Sequence, residues 1–143
     1  MSAADDQLAI ADLLARFNRH LDDRDFEAWS ELFEVDGSFN HMIGRAAIHE
    51  MITTAELATN PDLIRKHTVH NLSVHLDGDR ATSVCDLVMF DQYVSGGPWR
   101  IVTGRYTDSL VRRGDGRWGF QHRDLVMVGK EESPHETFGQ SRR

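Results

Sequence analysis

The chain has 143 residues, 40% hydrophobic and 27% charged, which suits one folded domain and excludes an extended disordered chain. Its 16 basic and 23 acidic side chains leave a formal charge of −7, against a general binder of nucleic-acid backbone, which needs a basic stripe. The one cysteine, Cys85, excludes an intrachain disulfide framework and a multi-cysteine zinc site. No apolar run is long enough to span a bilayer, and the acidic start MSAADDQLAI lacks the basic and apolar blocks of a secretion signal. The expectation is a soluble, cytoplasmic protein with no nucleic-acid or membrane partner.

In chain order, Ile10, Leu13, Leu14, Phe17 and Leu21 mark one face of an amphipathic helix, with Ser2 and Asp5 able to cap its start. After the polar link Asp22-Asp23-Arg24-Asp25, a short second helix fits Phe26, Trp29, Leu32 and Phe33. Asp36-Gly37 marks a turn, and 38–43 reads as a short strand. A third helix fits Ala47, Ile48, Met51, Ile52 and Ala55, stopping before Asn60-Pro61 because proline disfavours helix in the residue before it.

From residue 65 onward the signals are those of strands. The runs 66–76, 80–94, 99–112 and 117–128 are separated by Asp77-Gly78-Asp79, Ser95-Gly96-Gly97-Pro98 and Gly114-Asp115-Gly116, which read as turns. Hairpin-linked strands require an antiparallel sheet, and the amphipathic helices must bury their stripes against one of its faces. The expected fold is α+β, one domain over 1–129 followed by a polar tail over 130–143.

Charged residues fall within strands that otherwise read as buried. Asp86 shares its face with Val84, Val88 and Phe90, while the opposite face, Cys85, Leu87 and Met89, is also apolar. Arg123 shares a face with Leu125 and Met127. A carboxylate in such surroundings is costly unless paired or hydrogen-bonded. Either Asp86 and Arg123 form a structural ion pair, or one of them lies near a strand end in water, or the sheet curves round a pocket with a polar floor. Strict alternation groups His67 with Val69, Asn71, Ser73 and His75 on the more polar face; a bulge, or a sheet buried on both sides, would change that.

The chain has eight histidines, but His67 and His70 point to opposite faces of a strand, and no H-E-x-x-H occurs, so no metal is expected. There is no G-x-S-x-G elbow, no G-x-G-x-x-G and no phosphate loop. Cofactor-free acid–base chemistry remains.

The segments IADLLARFNRHLDDRDFEAWSELF, RKHTVHNLSVHLDGDRA and GRYTDSLVRRGDGRWGFQHRDLV resemble the SnoaL-like branch of the nuclear-transport-factor-two-like superfamily over about residues 8–127. The likeness is greatest to its scytalone dehydratase, bile-acid dehydratase and hexachlorocyclohexane dehydrochlorinase group. It implies a curved antiparallel sheet cone closed by three N-terminal helices, a cystatin-like α+β barrel, with a pocket inside the cone. Asp22 in HLDDRDF then resembles that group's aspartate after helix one, and His67 in KHTVHNL its catalytic histidine. Asp86 stands where the group has a second polar pocket residue, and Arg123 where it carries an arginine on the last strand. Leu21 replaces scytalone dehydratase's tyrosine, and the first helix lacks the dehydrochlorinase's lysine, which weighs against those two substrates.

The implied roles are His67 as general base, Asp22 orienting it, Arg123 stabilising developing negative charge, and Asp86 binding substrate or protonating a departing hydroxyl. An ideal helix places Asp22 about 125° from the centre of the apolar stripe, so it enters the pocket only if the helix ends or kinks there. Phe17, Trp29, Val84, Val88, Phe90 and Trp99 are the candidate lining for a small hydrophobic cyclic hydroxy- or keto-compound such as a steroid, terpenoid or polyketide. A dehydratase or isomerase is the first reading, and the resemblance implies a homodimer or homotrimer. A non-catalytic ligand-binding or oligomerisation module, or the small structural subunit of an oxygenase, is the alternative.

Overall fold

The structure, a computed structural model, describes residues 2–128, so the segment 130–143 expected as a tail lies outside the described residues. Helix α1 (Ala3–Asp22) starts from Ser2 in a reciprocal capping box with Asp5 and buries Ile10, Leu13, Leu14, Phe17 and Leu21, the whole expected stripe. Helix α2 (Phe26–Ser30) is capped by Asp25. It ends before Leu32 and Phe33, contrary to the helical reading: Phe33 opens β1 (Phe33–Phe39), and its carbonyl accepts from the Arg45 and Arg113 guanidiniums instead of continuing a helix. Strand β2 (Met42–Ile43) is short, and the expected third helix is divided into α3 (Arg45–Thr54) and α4 (Glu56–Thr59). Ala55 causes the break by taking an extended conformation at φ −74°, ψ 160°. Four helical segments therefore stand where three were expected.

The long strands β3 (Leu63–Asp77), β4 (Arg80–Tyr93), β5 (Arg100–Arg112) and β6 (Trp118–Val128) complete one curved sheet of six strands in the order β2-β1-β6-β5-β4-β3. The α+β class is as expected, but the sheet is not antiparallel throughout, because β1 runs parallel to β6. The chain leaves β1, passes through two helices and three long strands, and returns in the same direction beside it. The β3–β4 hairpin turns through Gly78 at φ 61°, between the paired Asp77 and Arg80.

Two local features decide which side chains face the helices. Along β4 the concave face takes Ala81, Ser83, Cys85, Leu87, Met89 and Asp91, all buried. Val84, Asp86, Val88 and Phe90, expected in the pocket, are on the convex face, and Trp99 is half exposed. Both faces of β4 are apolar, so alternation alone cannot tell them apart. In β3 a bulge intervenes: Asn71 sits at φ 54° and the register with β4 slips between His70 and Ser73. Before it Leu63, Arg65 and His67 point inward; beyond it Val74 and Leu76 do. The reading that grouped His67 with Ser73 and His75 fails because one extra residue exchanges the faces.

The core is aromatic. Phe17 lies within 5.2–6.1 Å, centroid to centroid, of Trp29, Phe33, Phe39, Tyr106 and Phe120. No helix among the described residues is long and apolar enough to cross a membrane.

The start of α1 is tied to the sheet by Asp6, which accepts from Arg112 Nη2 at 2.7 Å and from Trp118 Nε1 at 3.1 Å. The Arg112 guanidinium, joined by the Trp118 indole, holds the Asp6 carboxyl below its ordinary value. A lowered folded-state value means that this contribution is present above the unfolded carboxyl's pKa of about 3.9 and is lost as pH falls through the folded one. Asp6→Asn is therefore expected to lower Tm at pH 7, with the difference from the parent closing as pH drops below about 4; thermal melts across pH 2–7 measure it.

Candidate active site

Helix α1 stops at Asp22 because the chain doubles back there. Arg24 takes φ 60°, and the amides of Asp23, Arg24 and Asp25 bond the carbonyls of Arg19, Leu21 and His20. The Arg24 guanidinium then donates to the carbonyl of Leu63 at 2.6 Å, holding the helix end against the start of β3. Ending there brings Asp22, well off the apolar stripe, against β3.

Strand β3 is an edge of the sheet, so every second amide along it lacks a strand partner. Asp22 supplies one. Its Oδ1 accepts the His67 backbone N–H at 3.1 Å and the His67 Nδ1 at 2.7 Å, and both side chains are only 6% exposed. An ionised carboxylate only accepts, so Nδ1 carries hydrogen, and in the neutral ring the lone pair is then on Nε2. Lys66 Nζ stands 3.5 Å from Asp22 Oδ2, but that side chain is largely in solvent, where such a pair contributes little.

His67 is one wall of a cavity between the sheet and the helices. Phe17 and Leu21 of α1 and Trp29 of α2 close one side; Met51, Ile52 and Leu57 of α3 and α4 close another. Leu87, Met89, Tyr106, Leu125 and Met127 form the sheet floor, and Phe39 the end. The cavity is small, about 30 Å³, and among the described residues His67 and Tyr106 are its lining residues with polar side-chain atoms other than sulfur or the Trp29 indole. Three methionines in its walls are unbranched and can change rotamer to admit a larger guest.

The structure brings together Asp22 and His67, with Phe17 and Trp29 in the same cavity, and separates the other expected site residues from them. Asp86 is on the convex face, bonded to Arg105 Nε at 2.8 Å and Asn71 Nδ2 at 3.0 Å; the Arg105 guanidinium holds its carboxyl below the usual range. Arg123 is inside the molecule but not in the cavity wall: it is 0% exposed and pairs with Asp108 at 2.8 Å. Its guanidinium is stacked 3.7 Å from the Tyr106 ring centroid and 4.2 Å from that of Phe17. The partner of Arg123 is thus Asp108, and Asp86 pairs elsewhere because it faces the other way. Val84, Val88, Phe90 and Trp99 are likewise absent from the lining.

Sequence reasoning missed Tyr106, Leu87, Met89 and the methionines. Tyr106 lies between Gly104 and Asp108 in a strand with no marked apolar face, so no signal there distinguished it. It also missed the buried pair Arg65–Asp91, bidentate at 2.7 and 2.8 Å, one inward position along β3 from His67. Burial pushes the Cys85 thiol up to about 11, with Arg123 pulling more weakly the other way, so Cys85 is no nucleophile near neutrality. Among the described residues, no three His, Cys, Asp or Glu side chains gather as a metal site requires.

A curved sheet wrapped round a long helix, with a carboxylate-bound imidazole on the wall of an apolar cavity, defines a class of small cone-shaped α+β proteins. The chain belongs to the SnoaL-like family, whose domain model matches residues 2–124, and so to the nuclear-transport-factor-two-like superfamily. Among solved structures it is similar to a protein of Novosphingobium aromaticivorans provisionally named a scytalone dehydratase, at 20% identity and TM-score 0.80 over 96% of this chain and 93% of that one. A Nostoc punctiforme protein of unknown function described as having a cystatin-like fold shares 22% identity at TM-score 0.74, over 94% and 97% of the two chains. The β subunit of a provisionally named aromatic-ring-hydroxylating dioxygenase from Novosphingobium aromaticivorans shares 19% at TM-score 0.76, over 92% and 94%. Identities this low establish the fold alone. No curated protein matches the chain.

Asp22→Asn is expected to cost about 1–3 kcal/mol of stability, as for loss of a charged acceptor from buried donors. It should also release the imidazole from the Nδ1–H tautomer, which ¹⁵N chemical shifts of His67 above its titration range would reveal.

Proposed function

We propose that the chain is a cofactor-free acid–base enzyme, a dehydratase (lyase) or an isomerase, acting on a small hydrophobic cyclic hydroxy- or keto-compound. The observation that carries the reading is the 2.7 Å bond from His67 Nδ1 to Asp22 on the wall of an otherwise apolar cavity. An imidazole held by a carboxylate on one nitrogen presents its other nitrogen as a base, and the carboxylate stabilises the imidazolium that forms. Imidazole, with an unperturbed pKa near 6.5, is matched to taking a carbon-bound proton close to neutrality.

In an elimination, His67 Nε2 takes the proton from carbon, and the C–H electron pair becomes the new double bond as hydroxide leaves. The imidazolium returns its proton to that hydroxide, releasing water and restoring the base. In an isomerisation the same proton goes back to a different carbon. One base is enough for both, and Asp86, on the convex face, takes no part. The methionines in its walls must change rotamer to admit a ring system, and among the described residues no Asp, Glu, Lys or Arg lines it to bind an ionic substrate.

The test begins with a thermal-shift screen of hydroxylated cyclic ketones, since a ligand of the native state raises Tm by mass action. Turnover is then measured on the compounds that bind. His67→Ala is expected to retain binding and lose about 10²–10⁴ in kcat, the ordinary worth of a positioned general base. Full turnover in that variant removes the base from the scheme.

A further inference from the structure

Within this reading of the cavity, the base has a place but the oxygen on which charge develops does not, because Arg123 is sealed away from the space. Tyr106 stands in the floor. Its ring packs edge-on to Phe17 at 5.7 Å, and its hydroxyl makes no hydrogen bond among the described residues. It also differs from the Arg123 Nη1 and Trp29 Nε1 nitrogens, which are fully occluded without a partner. A buried phenol needs an acceptor, and the cavity that Tyr106 lines is where one can be supplied.

We propose that the Tyr106 hydroxyl is the hydrogen-bond donor that holds the substrate's keto or phenolic oxygen, and that Arg123 is a positioning residue that strengthens this donor through the ring. The guanidinium centre is 3.7 Å from the Tyr106 centroid, with Phe17 at 4.2 Å and Phe120 at 4.6 Å, so the cation is enclosed by aromatic faces. Asp108 fixes it there by bonds of 2.8 and 3.3 Å, and Ser83 in turn donates to Asp108 at 2.8 Å. A positive charge beneath a phenol ring polarises its O–H bond outward, toward a developing oxyanion. Burial pushes the phenol's pKa up and Arg123 opposes that rise, so Tyr106 stays protonated and able to donate throughout the pH range in which an imidazole base works.

The register fixes how base and donor are spaced. His67 pairs with Met89 and Tyr106 with Cys85, two strands and four residues apart, which sets their Cα atoms about 17 Å from one another on a flat sheet. Both side chains reach inward from a curved surface, so the abstracted hydrogen and the oxygen belong to opposite ends of one guest. That spacing selects a conjugated compound of two or more fused rings, in which the electron pair left by the C–H proton is relayed through the π system to the distant oxygen. The proton goes to His67 Nε2, and Tyr106 keeps its own, donating only a hydrogen bond.

The chain has only two tyrosines, Tyr93 and Tyr106, so protein labelled with 3-fluorotyrosine gives two ¹⁹F resonances, assigned with Tyr93→Phe. The probes are 2-naphthol and its oxygen-free counterpart naphthalene. Saturating 2-naphthol is expected to move the Tyr106 resonance and leave that of Tyr93, and naphthalene to bind without the shift. Tyr106→Phe should weaken 2-naphthol about tenfold with naphthalene unchanged, the loss expected for one good hydrogen bond to an oxygen. Arg123→Lys should keep much of the preference for 2-naphthol, whereas Arg123→Met combined with Asp108→Leu, which removes both charges together, should lower it several-fold. If that double variant does not fold, Tyr106→Phe and Arg123→Lys carry the test. Binding of 2-naphthol with an unmoved Tyr106 resonance and equal affinity in Tyr106→Phe overturns the assignment and leaves the His67 base standing. If neither probe binds, the fused-ring guest and the Tyr106 assignment are overturned, and the thermal-shift screen of hydroxylated cyclic ketones decides the proposed function separately.

Discussion

Helix α1 is held across the concave face of the sheet by a carboxylate near each end. Asp6 takes donors from β5 and β6, and Asp22 takes two from the free edge of β3, so a helix about 30 Å long bridges the sheet from one side to the other. Each carboxylate accepts from buried or half-buried donors of the sheet. The interaction that orients the imidazole is also the one that closes the cone.

Charge inside the molecule is arranged in pairs at different depths. Arg65–Asp91 lies beside the cavity wall, Arg123–Asp108 beneath the aromatic floor, and Asp22–His67 at the wall itself. Two of these are full ion pairs with little exposure, and such pairs rarely add net stability compared with apolar packing of the same volume. Arg123 is enclosed by three aromatic faces and a bidentate carboxylate, which compensates the loss of water without opening the site to solvent. It leaves the cavity an apolar space whose polar lining residues, among those described and the Trp29 indole aside, are His67 and Tyr106. Electrostatic effects are strong in such a space because no water screens them.

Much of this was legible in the residues. The α1 stripe, the glycine turns and the strand runs specify an α+β fold, and the family likeness of the segments around Asp22 and His67 points to the pair that meets. The end of α1 was less so, since helix phase alone turned Asp22 away from the core; it required the left-handed Arg24 and its hold on Leu63. The parallel pairing of β1 with β6 was not legible either, because it depends on where the chain returns after three long strands.

Local signals determined the long helix, the four long strands and the glycine turns between them, and which residue types are available for acid–base work, since spacing, caps and turn chemistry act over a few neighbours. The turn read at Asp36-Gly37 instead lies inside β1, where pairing with β6 and β2 overrides it. Which face of β4 looks inward, where β3 changes faces at Asn71, and which carboxylate meets Arg123 were decided only by the tertiary structure. The reason is physical: both faces of β4 are apolar, a one-residue bulge exchanges every side chain beyond it, and ion pairing depends on proximity between strands that the order of residues does not state.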